Sequence, residues 1–478
     1  PVLAGTFVPY VETTQHDWNR EAMRNLTRTR YGFPASILKF SALGFLVLIL
    51  AGCVAVPSAH GSESSIDKAD TAFLIMSAAL VMLMTPALAF FYGGLVRAKN
   101  VLSVAMHCFV ALGVVTVQWY LFGYSLAFGP SSLRVGDFGF LGSLNWFGGR
   151  AVGLTPYAVY SATVPHGVFM IYQCMFAIIT PALIAGAFAE RMKFKAYLVF
   201  VVLWTTLVYD PVAHWVWSEK GWLKQIGSLD FAGGTVVHMT SGITALLAAL
   251  MIGPRRGFPR TPFLPHSLPF TLLGAGLLWF GWFGFNAGSA LSSGSVAVAA
   301  FVATHCGACG GAVAWLLYDW FEKEKPTALG IASGAVAGLV AITPASGYVG
   351  PIAALVIGGI AGVVCAWAVT WRARRGIDDA LDAFGVHGVG GTLGALLTGV
   401  FASNWINPSI GANQGLIHGG LRLLAVQAVA VVATLAYTAL VSFLILKLVD
   451  KTIGLRVSED DERMGLDLTQ HGESAYAA

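Results

Sequence analysis

Charge is what this chain has least of. Asp, Glu, Lys and Arg make up 11% of its 478 residues, against roughly 25% in an ordinary soluble protein. Cysteine is sparse too: six residues scattered through apolar runs form no disulfide framework. The one C-x-x-C, Cys306–Cys309 in "HCGAC", has no second ligand pair nearby and reads as small packing residues inside a helix. H-E-x-x-H, G-x-S-x-G and the P-loop are all missing, so the sequence gives no ground for an enzyme, a metal or a bound cofactor. "SGYVG" at Ser346–Gly350 lacks the TVGYG order of a potassium filter. Nothing marks a nucleic-acid partner.

Apolar residues fill the chain instead. They are 56% of the total, and the mean hydropathy is +0.71. Long apolar runs parted by short polar links mean an all-α, multi-pass protein whose partner is membrane lipid. Eleven segments beyond Asp67 are long enough to span: 69–92, 100–128, 165–189, 196–214, 231–252, 268–290, 296–321, 327–343, 351–371, 385–403 and 417–448. They place an eleven-helix domain in 66–452 and a tail in 453–478. Thirteen basic residues sit in every second link, among them Arg97, Lys99, Arg191, Lys193 and Arg255; the other links hold four. The positive-inside rule makes the rich links cytoplasmic, so the first helix starts outside and the tail lies inside.

An external start calls for a cleaved leader. Residues 1–59 read as one: basic residues from Arg20 to Lys39, the apolar "FSALGFLVLILAGCVAV", then small residues up to a cleavage site near Ala59. Met23 is a natural start for it, which makes 1–22 upstream translation. Two other readings stay open, a lipoprotein box at Leu50–Cys53 and a retained first helix.

Eleven helices divide as five, five and one. Five is odd, so the second five would run inverted, a common transporter plan with its site near mid-membrane. "FFYGG" (Phe90–Gly94) on the first helix is echoed by "WFGFNAG" (Trp282–Gly288) on the sixth. His238 on the fifth is echoed by His387 on the tenth, each followed by small residues on its own helix face. An ionisable ring inside a membrane helix is costly and points to function; the bland alternative is a neutral ring bonded to a carbonyl. His107 and His305 form a rival pair with similar spacing, and the pattern alone favours His238 and His387 only modestly. Asp230 stands before the fifth helix, where it can cap the first amides or tune the field at an outer mouth. Eight helical residues span about 12 Å, so Asp230 is not expected to touch His238. Tyr172 and Phe176 share a face of the third helix. Trp282, Phe285 and Ser289 share one on the sixth, and Trp217 falls in the link before the fifth. Such a cluster can hold a small cation by ring faces and one hydroxyl, or simply be packing at the interface.

These residues resemble a known family. "FYGGLVRAKN", "ITPALIAGAFAER", "DFAGGTVVH", "GWFGFNAGSA", "FGVHGVGG" and the tail "HGESAYAA" are similar, in order, to the ammonium transporters of the Amt/Mep/Rh group, bacterial Amt branch. The resemblance covers about 66–478. It implies a homotrimer of eleven-helix subunits in the bacterial cytoplasmic membrane, each with its own pore. It implies an outer ammonium site at Trp217, Tyr172, Ser289 and Phe176, where Tyr172 replaces the family's phenylalanine. It implies a gate of Phe176 and Phe285, pore histidines His238 and His387, and structural support from Asp230. Trp282 is a secondary pore candidate. Ammonium or ammonia, and methylammonium, are the implied substrates, and a PII-class protein is the implied regulator at the inner face. Rival functions are an ammonium sensor with little transport and a monovalent cation channel.

Overall fold

A computed structural model describes residues 66–476, and nearly all the regular structure in them is helical. The leader and its cleavage site, 1–59, lie outside the described residues. Ten helices are long and apolar enough to cross a membrane: α1 (Lys68–Leu95), α2 (Ala98–Phe128), α3 (His166–Phe188), α4 (Phe194–Trp217), α5 (Gly234–Ile252), α6 (Leu268–Ala290), α7 (Ser295–Lys323), α9 (Pro351–Arg374), α10 (Phe384–Phe401) and α11 (Leu421–Thr452). Between α7 and α9 lies the shorter apolar α8 (Ala328–Ile342). At 1.5 Å per residue α8 is about 22 Å long, short of a core of about 30 Å. Past its end the chain continues as the buried stretch Thr343–Gly347, whose Pro344 carbonyl accepts from the Phe231 amide at 3.1 Å. Irregular backbone at membrane depth is tolerated where protein surrounds it. The chain is thus a multi-pass membrane protein.

Glycine sets how closely the helices approach. A Cβ on Gly281 of α6 would lie 2.3 Å from Met84 Cγ and 2.7 Å from the Leu80 carbonyl of α1, so α1 packs along α6 only because that face is bare. α7 packs in the same way against α8 and α9.

Two features were not read from the sequence. The link after α2 is a two-stranded antiparallel hairpin, β1 (Ser131–Val135) with β2 (Phe138–Gly142). At the other end of α2 the tail folds back on the bundle. Asp467 accepts from the Leu102 and Ser103 amides at 3.0 and 2.7 Å and so caps α2. The short helix α12 (Glu459–Met464) presents its end carbonyls to Lys99 Nζ. The two ends of the bundle are called the hairpin face and the tail face below.

The tail face is tied by a buried ion cluster. Glu190 is 1% exposed and pairs with Arg97 at 2.9 Å and with Arg255 at 3.3 Å. Arg255 also pairs with Asp378 at 2.8 Å. Phe263 lies under both guanidiniums, 4.1 Å from Arg255 and 5.0 Å from Arg97. Burial pushes the Glu190 carboxyl up, but the Arg97 hydrogen bonds and the Arg255 charge outweigh it and hold the group below its ordinary range. Asp378 is likewise held low, by Arg255 and Arg191 against burial. Depressed carboxyls contribute stability that is complete above their unfolded values, about 4, and lost as the pH falls through their folded ones. Resistance to thermal unfolding in detergent should therefore weaken below about pH 4. Glu190→Gln should lower stability by about 3 kcal/mol at neutral pH, because it leaves buried arginine charge uncompensated, and should flatten that acid slope.

Candidate functional site

Two helices begin inside the bundle, and each begins on an aspartate. α5 starts three residues later than its hydrophobic pattern predicts, because Phe231–Gly233 form a turn instead. Gly233 takes φ 110°, which turns the amides of α5 back toward Asp230. Asp230 Oδ1 accepts from the Gly233 and Gly234 amides, both at 2.8 Å. Oδ2 accepts from Thr235 at 2.8 Å and Val236 at 3.1 Å. The same device recurs at α10, where Asp379 accepts from Ala383 at 3.2 Å and Phe384 at 2.7 Å. Asp379 escaped the sequence reading, although its signal was there: Asp-x7-His occurs twice, and both members are offset by 149 residues.

Both helices open with a π-turn, Gly234–Met239 and Phe384–Gly388, and each turn carries a histidine. The two rings meet, Nδ1 to Nδ1 at 3.3 Å with centroids 5.3 Å apart. One of those nitrogens donates and the other accepts, so two neutral rings hold opposite tautomers. His238 Nε2 is buried and has no partner among the described residues.

Gly242 brings the histidine helices together. A Cβ there would lie 2.0 Å from the Gly388 amide nitrogen and 2.8 Å from the His387 carbonyl carbon. The rival histidines stay apart from this contact. His107 is buried among Phe188, Phe194 and Tyr197, and His305 is exposed, 3.6 Å from Cys309 Sγ.

Above the pair, toward the hairpin face, rings stack in series. Phe285 lies 6.0 Å from His238, Phe176 lies 4.2 Å from Phe285, and Trp217 lies 5.8 Å from Phe176. Trp217 is not in a link: it is the last residue of α4, which runs three residues beyond the expected boundary. Its indole N–H donates to the Asp230 carbonyl at 3.0 Å, so one aspartate fixes both the tryptophan and the start of α5. Ser289 Oγ donates to the Phe285 carbonyl at 2.9 Å. Tyr172 sits behind Phe176 rather than on the cavity wall; its hydroxyl bonds the Gly284 and Phe285 carbonyls at 3.0 and 2.9 Å and lies 3.2 Å from Ser289 Oγ. Trp282 stacks 5.4 Å from His238, and its N–H donates to Thr343 at 2.8 Å.

Space follows the same line. A cavity of about 610 Å³ opens at the hairpin face over Phe176, Trp217, Asp230 and Ser289. A cavity of about 190 Å³ lies toward the tail face between Phe263, Asp382 and His387. The passage between them, walled by Phe285, Trp282, His238, His387 and aliphatic side chains, holds about 10 Å³, the threshold for one water-sized molecule. Such a passage can take a small neutral molecule but not a hydrated ion. Gly242→Ala should force α5 and α10 apart, at a cost above the usual 1–3 kcal/mol of overpacking because the clash is with backbone. Solute flux into proteoliposomes should fall at least tenfold while the folded protein still purifies.

Known proteins similar to this chain fall in one family. The profile of the Ammonium Transporter Family matches residues 72–476. An ammonium transporter of Bacillus subtilis is 51% identical over 408 residues, 85% of this chain and 98% of that protein. The crystal structure of Saccharomyces cerevisiae Mep2 superposes with a TM-score of 0.77 at 38% identity, covering 83% of this chain and 89% of that one. A structure titled "Sensor Amt Protein" superposes at 0.76 and 29% identity, over 84% of this chain and 98% of that one. With a family match this long and a relative this similar, the chain belongs to the Ammonium Transporter Family.

Proposed function

We propose that this chain carries ammonium across the membrane, taking it up at the hairpin face and passing it inward as ammonia. The observation that carries the proposal is the narrow, ring-walled passage with two bonded histidines at its floor. The hairpin face is external and the tail face cytoplasmic, in keeping with the basic links. Trp217, Phe176 and Ser289 form the outer site, Tyr172 holds Ser289 from behind, and the Phe176–Phe285 pair is the gate. The two five-helix halves run inverted, as the matched Asp–His units suggest.

Magnitudes favour deprotonation. A bare cation at mid-bilayer costs at least about 3 kcal/mol and far more without water. A desolvated contact with a ring face returns about 2 kcal/mol. The rings can therefore gather ammonium but cannot carry its charge through a dry passage. Ammonium can leave its proton behind, which potassium cannot do. His238 and His387 then relay that proton, and ammonia crosses beside them.

Three such subunits assemble as a trimer, and the docked tail with its basic links is the surface a PII-class protein would meet. The sensor reading draws on the neighbour of that title. A transporter gives current in proteoliposomes on addition of ammonium; a sensor gives almost none, and a cation channel responds equally to potassium. Replacing both His238 and His387 by leucine should abolish the ammonium current. An unchanged current in that variant would rule out the relay.

A further inference from the structure

The outer site has fewer free acceptors than its polar rim suggests. Ammonium brings four N–H donors and needs oxygens where it sheds water. Asp230 has none to offer, because each of its oxygens already accepts two amides. Trp217 contributes a ring face, and its N–H is taken by the Asp230 carbonyl. Ser289 Oγ donates to the Phe285 carbonyl and stands 3.2 Å from the Tyr172 hydroxyl, which leaves little more than one lone pair.

Gln173 can supply the missing oxygen. It precedes Phe176 by three residues on α3, so it lies on the same helix face one turn nearer the outside. It lines the same cavity as Phe176, Trp217 and Ser289. Its Oε1 is buried, and no donor among the described residues reaches it. A buried amide oxygen without a donor is uncommon in a folded protein and calls for a reason. Among the described residues no hydrogen bond holds this oxygen, so a turn about the last torsion can present it to the cavity without breaking one.

We propose that Gln173 is an oxygen ligand for ammonium at the outer site, acting beside Ser289. The inference rests on the reading of that site given above. Currents should be recorded in proteoliposomes across a range of ammonium concentrations for Gln173→Leu, Gln173→Asn, Ser289→Ala and Trp217→Leu. Loss of one hydrogen bond to a charged group predicts a rise of about tenfold in half-saturating ammonium for Gln173→Leu, with maximal current nearly kept. Gln173→Asn keeps the amide but withdraws its oxygen, and should give a smaller rise; it serves alone if the leucine variant does not fold. A half-saturation within twofold of the parent in the Gln173 variants, while Ser289→Ala and Trp217→Leu shift it, would overturn the role of Gln173 alone. No shift in any of the four would instead remove the outer site on which the inference stands.

Discussion

A helix that begins inside a membrane protein leaves its first amides without partners, and lipid offers them none. This chain meets that constraint twice with an aspartate, and the rest of the site depends on it. Asp230 satisfies four amides at the head of α5 and Asp379 two at the head of α10. Each helix can then start deep enough to place a histidine in its first turn. The Asp230 carbonyl also holds Trp217, so the aromatic mouth and the histidine floor share one anchor.

Both Asp230 oxygens are fully engaged by amides, so it offers no free acceptor to the cavity at the hairpin face. The opposite balance holds at the tail face. There Glu190 and Asp378 are paired with arginines, and the cluster joins the link after α1, the end of α3 and the link after α5 into one plate. Phe263, held beneath two of those guanidiniums, also borders the cavity toward the tail face, so the plate and that cavity are built from shared residues.

Most of the helices were legible because lipid imposes a crude rule. A span needs length and apolarity; ten of the eleven segments became helices with both, and 327–343 became the shorter α8. What composition could not show was the local backbone. The π-turns at Gly234 and Phe384 lie beside amides held by Asp230 and Asp379, contacts that hydropathy does not register, so α5 seemed to start too early. The hairpin after α2 was missed because its strands are five residues each in a link. At the site, residue types announced His238, His387 and the rings, while the choice between histidine pairs needed contacts. Tyr172 shows the limit of matching by position: the hydroxyl that sets it apart faces two carbonyls and a serine, not the cavity wall. Gln173 gave no signal at all, since an unpartnered oxygen is visible only once the neighbours are placed.

For the proposed relay, the direct bond between the two Nδ1 atoms would have a kinetic consequence. In the proposed relay, with His238 Nδ1 as the donor, a proton arriving at His238 Nε2 would push the shared proton across to His387, which would release one from its own Nε2. Both rings end in the tautomer opposite to the one in which they began. The pair cannot repeat the step until both tautomers revert. A relay of this kind is a ratchet that must be rewound after each passage. It would saturate at the rewinding rate however high the ammonium gradient, unlike an open wire of water, whose current would keep rising.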